Sequence, residues 1–393
     1  MVDKKLNGAG LRGQSAGETA LCTVGKTGAG LTYRGYDIQV LADKAEFEEV
    51  AWLLPHGKLP SRQELSAYKA RLKGLRQLPD TLKTVLENIP ASAHPMDVMR
   101  TGCSMLGNLE TEHDFDRQLD SIDRMLAIFP GLINYWYNFS HNGIRVETET
   151  EADSLAEQFL WTLHNKKPDP LHVRVMHASL ILYAEHEFNA STFTARVCAS
   201  TLSDIHSCIT AAIGSLRGPL HGGANEAAMA MIDQWQTADE AEEAILGMLA
   251  RKEKIMGFGH AVYQESDPRN AIIKEWSKRL SEQAGGTEQA GGTEQAGGTE
   301  QRDDARLYAI SDRVEAVMWR EKKLFCNADF FHASAYHFMN IPTKLFTPIF
   351  VCSRVSGWTA HVIEQRANNR IIRPSADYTG PESAEWIAIE DRV

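Results

Sequence analysis

The sequence predicts an all-α fold that carries one small β-hairpin near its N-terminus. From residue 45 onward, apolar residues recur at helical spacing, and residues 305–325 place five of them on one face. Pro and Gly interrupt these segments, which predicts short connections between helices. β-forming residues concentrate in one stretch, 19–38, on both sides of a glycine-rich turn. Helices joined by short breaks, with few strands, are typical of an all-α architecture.

Two local patterns indicate where predicted helices begin and end. Ser61 is followed three residues later by Glu64, a pattern that forms a capping box at a helix start. Residues 284–301 repeat AGGTEQ three times. This tract is polar, rich in glycine and without an apolar face, so it cannot pack into a core. We expect a mobile surface loop without a chemical role between helical segments 270–283 and 305–325.

Size, charge and hydropathy exclude several classes of protein. The chain has 393 residues, of which 43% are hydrophobic, so two domains are expected. Its net charge is −11 and its Lys and Arg residues form no cluster, which argues against nucleic acid as a partner. The longest apolar stretch, 125–139, contains Pro130 and is too short to cross a bilayer, so no membrane association is expected.

The cysteines and the N-terminal residues bear on the cellular compartment. The six cysteines are scattered and form no C-x-x-C motif, which fits reduced thiols better than a zinc or redox site. No apolar signal segment follows the first residues of the chain. We therefore expect a cytoplasmic protein.

His221 lies among small residues in the segment RGPLHGGANEAAMAMI, residues 217–232. These neighbours leave room for a ligand or a backbone to approach the ring. Helical periodicity follows, and a helix N-terminus disfavours the imidazolium form. A neutral imidazole can donate a hydrogen bond to a carbonyl oxygen that gains negative charge. The alternative is a histidine that only caps a helix or stabilises a turn.

His260 and Arg269 occur together in the segment GFGHAVYQESDPRN. An imidazole can polarise a carbonyl while a guanidinium binds a carboxylate, so the pair suits a carboxylated substrate. A surface turn with an incidental histidine is the alternative. His186, in YAEHEFNASTF, lacks the second histidine of a zinc-protease helix, so an ordinary helix histidine is the default there.

Asp329 and two arginines complete the set of candidates. Asp329 has apolar and aromatic neighbours, which raise a carboxyl pKa toward that of a useful base. The local pattern nevertheless favours an N-cap, because Asp commonly stands just before a helical run. Arg354 lies in an apolar run and Arg373 near the C-terminus, and a charge in such surroundings needs a partner, either an internal acid or a substrate.

Taken together, these residues suit a polyanionic keto-acid substrate and the removal of a proton next to a carbonyl. No metal-ligand spacing and no nucleotide-binding motif accompanies them, so no metal site is expected. The residue types define this reaction class and leave the substrate open.

The chain resembles the citrate synthase family through motifs that follow the family's order over residues 19–382. They are HEFNASTF, GPLHGGANE, GFGHAVY with DPR, NADFF, SRVSGWTAH and IIRPSADY. Within the family, the chain is most similar to the 2-methylcitrate synthase branch. The segments that favour this branch are ALCTVGKTG, YRGYDI, FEEVAWLL, AHPMDVMRTG, NYWYNFSHNG and YAEHEFNASTFTARV.

The resemblance implies a mostly helical homodimer whose chains each have two domains with the active site in the cleft between them. The large domain would comprise residues 1–220 and 340–393, and the small domain residues 221–339. The cleft would close on oxaloacetate. The implied reaction condenses propionyl-CoA with oxaloacetate and hydrolyses the product thioester, with acetyl-CoA as a side substrate and no permanently bound cofactor.

The resemblance also implies a role for each candidate residue. Asp329 would take the α-proton of the thioester, His221 would hold the thioester oxygen of the enol or enolate, and His260 would polarise the ketone. Four positions match oxaloacetate-binding residues, the last of them reaching into the neighbouring subunit's site: His186, Arg269, Arg354 and Arg373. One segment matches part of the CoA-binding loop: Lys254, Ile255, Met256, Gly257 and Phe258.

Two other functions stay open at this point. A citrate synthase that prefers acetyl-CoA shares every catalytic residue and differs by one methyl group in a pocket, which is worth about 1–3 kcal/mol. A non-catalytic helical scaffold or binding protein would be expected to lack some of the three catalytic residues, and all three are present. Residue 261 is alanine where the branch is expected to have proline, so the backbone beside His260 is expected to be slightly freer.

Overall fold

The computed structural model describes residues 11, 14–24, 30–288 and 304–392, and these residues form a mainly helical fold. The strands among them are β1 (Cys22–Thr23), β2 (Thr32–Tyr33) and β3 (Tyr36–Asp37). The α-helices among them are α1 (Ile38–Lys44), α2 (Phe47–His56), α3 (Arg62–Gly74), α4 (Asp80–Glu87), α5 (Pro95–Leu109), α6 (Gln118–Asn142), α7 (Leu155–His164), α8 (Pro170–Tyr183), α9 (Ala190–Ser200), α10 (Ile205–Leu216), α11 (Ala224–Ile232), α12 (Ala238–Ala250), α13 (Pro268–Glu288), α14 (Asp304–Lys322), α15 (Ala328–Phe338) and α16 (Phe346–Ala367). The prediction of an all-α fold with a small β element is confirmed.

The small sheet has one strand more than the predicted hairpin. Strands β1 and β2 pair antiparallel with Cys22 opposite Tyr33, as a hairpin requires, although residues 25–29 of its turn lie outside the described residues. Strand β2 also pairs antiparallel with β3 across Arg34 and Gly35, whose φ angles are 50° and 86°. Two successive residues with positive φ form a tight turn that matches the twist of the flanking strands.

Helix α16 forms the centre of the core. It packs against α6, α8, α9 and α10 and is buried along most of its length, with Trp358 fully buried. A Cβ atom on Gly357 would lie 2.3 Å from the carbonyl oxygen of Ala184. Only glycine therefore allows α16 to approach the turn after α8 this closely. Even the most apolar helices of the described residues lack the combination of length and hydropathy needed to cross a membrane.

Helix α13 extends further than the sequence predicts. It continues to Glu288 and so includes residues 284–288 of the AGGTEQ tract, for which the expectation of a loop is wrong. Ala, Glu and Gln are good helix formers and a glycine costs about 1 kcal/mol, so a helix anchored by buried Ile273 and Leu280 can continue into the tract. Residues 289–301, the rest of the tract, lie outside the described residues.

Candidate active site

His221 lies in the loop between α10 and α11, and its ring is fixed by the start of another helix. Its Nε2 accepts the backbone N–H of Ser191 at 3.2 Å and lies 2.8 Å from the Ser191 hydroxyl. A neutral imidazole that accepts at Nε2 carries its proton on Nδ1, and no other described residue takes up that N–H. Burial, followed by the charge of Arg354, lowers the pKa of His221 to about 4. The side chain is therefore a neutral hydrogen-bond donor at pH 7.

His260 has the opposite tautomer. Its Nδ1 accepts the backbone N–H groups of Val262 at 3.1 Å and Tyr263 at 3.4 Å, so Nε2 carries the proton. Burial, followed by the charge of Arg269, lowers the pKa of His260 to about 4. This second neutral imidazole therefore also has one N–H that no other described residue binds.

His186 lies in the turn between α8 and α9, so the default interpretation as an ordinary helix histidine is wrong. Its ring lies beside that of His260. The two ring centroids are 5.1 Å apart, and Nε2 of His186 lies 2.9 Å from the Tyr263 hydroxyl. His186 is 7% exposed. Burial, followed by the charge of Arg269, holds its pKa well below the usual range. His186 is therefore a third neutral imidazole of the same group.

Arg269 is held rigidly by Asp267. Its Nε and Nη2 donate to the two carboxylate oxygens of Asp267 at 2.9 and 2.8 Å, and both side chains are buried. The second oxygen also accepts the backbone N–H of Ala328 at 3.0 Å, the first residue of α15. Burial alone would lower the pKa of Arg269, but the Asp267 carboxylate outweighs it and raises that pKa. The guanidinium is thus a fixed cation at the start of α15.

Asp329 does not cap α15, so the local interpretation as an N-cap is wrong. The N-cap is Asn327, whose side chain accepts the backbone N–H of Asp329 at 3.1 Å. The Asp329 carboxylate instead accepts the Tyr183 hydroxyl on Oδ1 at 2.7 Å, while Oδ2 accepts no hydrogen bond from the described residues. Burial raises the pKa of Asp329. These features suit a carboxylate that takes a proton from a substrate.

Arg354 lies in the middle of α16 and is 1% exposed. Its Nε donates to the backbone carbonyl of Tyr183, and its guanidinium lies 4.5 Å from the Phe350 ring centroid. Burial lowers its pKa, and the carboxylate of Glu185 offsets this in part. Glu185 is itself buried and accepts Nε2–H of His361 at 2.8 Å. An internal acid therefore lies near Arg354. It offsets the effect of burial on the guanidinium only in part, so an anionic ligand would also stabilise this charge.

These contacts and the mutual electrostatic effects join six predicted residues into one group, the active-site cluster: His186, His221, His260, Arg269, Asp329 and Arg354. The cluster combines neutral N–H donors, one carboxylate with a raised pKa and two buried guanidinium groups. It can bind an anion, polarise carbonyl groups and remove a proton beside one of them. Arg373 is exposed in the segment after α16 and makes no hydrogen bond or ion pair with the cluster among the described residues.

The predicted CoA segment, residues 254–258, lies against the start of α15. The backbone N–H of Asn327 donates to the Gly257 carbonyl at 3.0 Å, and the Phe258 ring lies 4.8 Å from the Phe330 ring. Gly257 has a φ of +84°, and a Cβ there would lie 2.8 Å from the Phe330 ring, so no other residue fits. The segment therefore reaches the helix that carries Asp329.

Sequence reasoning missed four residues that orient the cluster. They are Tyr183, Ser191, Tyr263 and Asp267. Each lies within a few positions of a predicted residue, in the motifs YAEHEF, FNAS, GHAVY and SDPR. Their role depends on contacts between distant segments, and only their position inside these motifs could have indicated it.

A second group of ionisable residues lies between α2 and α8. Glu46, Glu48 and His177 offer oxygen and nitrogen atoms within 4.8 Å of one another, the spacing of metal ligands. Lys69 already donates to Glu46 at 2.6 Å, and the His177 Nδ1 atom accepts the backbone N–H of Phe47 at 3.0 Å. Burial raises the pKa of Glu48 to about 7. The Lys69 ammonium supplies the positive charge beside these carboxylates in place of a metal ion. The three residues are therefore interpreted as a structural cluster.

The chain is similar to known proteins over almost its whole length. The family model described as "Citrate synthase, C-terminal domain" matches residues 10–375. A Shewanella oneidensis protein named 2-methylcitrate synthase is 65% identical, over 99% of this chain and 99% of that protein. The Bacillus subtilis protein named citrate synthase 2 is 44% identical, over 92% and 94%. The solved ternary complex of Thermoplasma acidophilum citrate synthase with carboxymethyl coenzyme A and oxaloacetate has a TM-score of 0.87 and 30% identity, over 98% of this chain and 99% of that one.

Proposed function

This chain belongs to the citrate synthase family, and from that premise we propose that it is a 2-methylcitrate synthase. It condenses propionyl-CoA with oxaloacetate and hydrolyses the resulting thioester, which releases 2-methylcitrate and CoA. One observation carries the proposal: two neutral imidazoles, each with one N–H that no other described residue binds, accompany a carboxylate whose pKa burial raises. The identity to the Shewanella oneidensis protein supports propionyl-CoA as the acyl donor.

In the proposed mechanism the difficult step is the removal of a proton from the α-carbon of a thioester, which is a weak acid. Oδ2 of Asp329 takes this proton while Nδ1–H of His221 donates to the thioester oxygen, so that the electron pair forms an enol or enolate. The α-carbon then attacks the oxaloacetate ketone, whose oxygen is polarised by Nε2–H of His260. A positioned base and each preorganised donor contribute on the order of 2–4 kcal/mol. Water finally cleaves the carbon–sulfur bond.

Oxaloacetate binding needs cations for two carboxylates and a donor for the ketone. In the proposed complex Arg269 and Arg354 supply the cations from one chain, and the partner subunit's Arg373 supplies a further cation. His260 donates to the ketone, and His186 adds a neutral donor. The rigid pairing of Arg269 with Asp267 supports this role, because a guanidinium already fixed in one orientation loses little entropy on binding. The exposure of Arg373 supports a role outside its own chain.

CoA is proposed to bind along Lys254, Ile255, Met256, Gly257 and Phe258. The hydrogen bond from the Asn327 N–H to the Gly257 carbonyl supports that position, because it connects the segment to the start of the helix that carries the proposed base. Acyl-CoA is a co-substrate in this scheme, and no permanently bound cofactor takes part.

The proposed assembly is a cytoplasmic homodimer that acts in propionate catabolism. Its chain is divided into a large domain of residues 1–220 and 340–393 and a small domain of residues 221–339, which close on oxaloacetate. The segment after α16 supports a dimer, because Tyr378 and Trp386 are 77% and 81% exposed in the single chain. Large exposed aromatic side chains indicate a surface that another chain covers.

A citrate synthase that prefers acetyl-CoA is the second candidate, favoured by the 44% identity to Bacillus subtilis citrate synthase 2. Thiol release on adding oxaloacetate with either propionyl-CoA or acetyl-CoA, compared as kcat/KM, separates the two. A higher kcat/KM for propionyl-CoA supports the proposal, and a higher value for acetyl-CoA moves the chain to the second candidate with the same mechanism. Absence of release with both would overturn the catalytic function.

A further inference from the structure

Tyr183 contacts two residues of the active-site cluster at once. It is the last residue of α8 and is 1% exposed. Its hydroxyl donates to Oδ1 of Asp329 at 2.7 Å, and its backbone carbonyl accepts Nε–H of Arg354. Its ring is enclosed by His332 and Phe350, with centroid distances of 4.3 and 4.2 Å. The side chain therefore cannot move without disturbing the neighbouring rings.

We propose that Tyr183 is the positioning residue of the condensation base: its hydroxyl holds Oδ1 of Asp329 so that Oδ2 alone faces the substrate. The inference rests on the proposed function, in which Asp329 takes the α-proton. A carboxylate rotates easily about its last torsion angle, and a single strong hydrogen bond from a rigid donor selects one orientation. The enclosed ring of Tyr183 makes the donor rigid.

The same hydrogen bond favours the ionised form of the proposed base. Burial raises the pKa of Asp329, and the Tyr183 hydroxyl, followed by the charge of Arg269, lowers it in part. The other charged groups that face Asp329 are Asp267, which raises its pKa, and Arg354, which lowers it. Tyr183 is the uncharged member of this set, so its hydroxyl can be removed without changing the net charge of the site.

The test compares Tyr183→Phe with a matched control, Tyr336→Phe. Tyr336 is fully buried on α15, but its hydroxyl lies 2.6 Å from Ser179 Oγ and does not hydrogen-bond to Asp329. In Tyr183→Phe we expect the acidic limb of the kcat–pH profile to move up by about one to two pH units, because a hydrogen bond to an ionised group is lost. We also expect kcat at pH 7 to fall at least about tenfold. The KM for oxaloacetate should stay within about twofold, since its binding groups are retained.

The control variant separates positioning from a general effect on stability. Tyr336→Phe should lower Tm and leave the pH profile unchanged, because only a structural hydrogen bond is removed. An unchanged profile and kcat in Tyr183→Phe, or equal shifts in both variants, would overturn the positioning role. If instead the unmodified enzyme releases no thiol with either acyl-CoA, the proposed function fails, and the base-positioning role fails with it.

Discussion

The end of the loop before α13 and the first turn of α15 each hold a carboxylate, and the two are partnered in opposite ways. Asp267 accepts two N–H groups from the Arg269 guanidinium and the backbone N–H groups of Arg269 and Ala328. Asp329 accepts one O–H from a neutral tyrosine on Oδ1, and its Oδ2 accepts no hydrogen bond from the described residues. Burial would raise both pKa values. At Asp267 the charge of Arg269 and its hydrogen bonds together outweigh burial and lower the pKa, while at Asp329 burial prevails.

This difference separates a structural anion from a base. Two neighbouring carboxyl groups with pKa values moved in opposite directions mark distinct chemical roles. Asp267 stays ionised, orients the Arg269 guanidinium and fixes the start of α15. The raised pKa of Asp329 favours acceptance of a proton, as its proposed role in the condensation requires.

The largest expected effect comes from removing the proposed base. Asp329→Asn should lower kcat for thiol release by about 10³- to 10⁴-fold, because the amide cannot accept the α-proton. Oxaloacetate binding, measured by calorimetry, should stay nearly unchanged, since the proposed binding groups are retained. Loss of oxaloacetate binding together with activity would assign Asp329 a structural role and contradict the comparison.

Removing the structural anion should instead affect stability. Asp267→Asn leaves the buried Arg269 without its counter-ion, which should cost about 3–5 kcal/mol of unfolding free energy. Chemical denaturation measures that loss, and the affinity for oxaloacetate should fall with it because the guanidinium loses its orientation. A variant with unchanged stability would mean that the Asp267–Arg269 pair is dispensable.

A third prediction contrasts buried Arg354 with exposed Arg373. Arg354→Ala and Arg373→Ala homodimers should each be inactive, since each lacks one arginine that is proposed to bind the substrate. Heterodimers made by refolding equal amounts of both should regain activity in about one quarter of all sites, because one site of each heterodimer then has both arginines. If mixing never restores thiol release, Arg373 does not act in the neighbouring subunit's site.

The smallest expected effect is a gain in stability. Because the folded-state pKa of Asp329 is raised, ionisation destabilises the fold as the pH rises from the unfolded pKa, about 3.9, through the folded value. Asp329→Asn should therefore raise Tm by about 1–3 °C at pH 7, and the gain should vanish as the pH falls below the unfolded pKa of about 3.9.

Asp267→Asn should show the opposite pH dependence. The folded-state pKa of Asp267 is lowered, so its contribution to stability is complete above the unfolded pKa and is lost as the pH falls through the folded value. The Tm deficit of this variant should therefore be largest near neutral pH. Parallel Tm–pH curves for the two variants would contradict the assignment of opposite environments.

Local signals in the sequence were sufficient for individual helices. The Ser61–Glu64 pattern forms the predicted capping box, with the Ser61 hydroxyl accepting the Glu64 N–H at 3.2 Å. The helical conformation of residues 284–288 was harder to predict. In a tract of Ala, Gly, Glu and Gln, the position of the helix end depends on the buried residues that precede the tract.

The sequence was sufficient to predict which residues form the site, but not which of them contact one another. Asp329 has the local pattern of an N-cap, but Asn327 two residues earlier takes that role. The Tyr183–Asp329 hydrogen bond joins residues 146 positions apart, and the spacing of apolar residues in the sequence cannot indicate such a contact. The tautomer of His221 likewise depends on the backbone of Ser191 at the start of α9.

The most direct measurement is a ¹³C NMR titration of protein labelled at the aspartate carboxyl carbons. The signals of Asp329 and Asp267 are assigned by their absence from Asp329→Asn and Asp267→Asn, respectively. We expect the Asp329 signal to titrate above the ordinary aspartate range and the Asp267 signal below it. Two signals that titrate together within the ordinary range would contradict the distinction between base and structural anion.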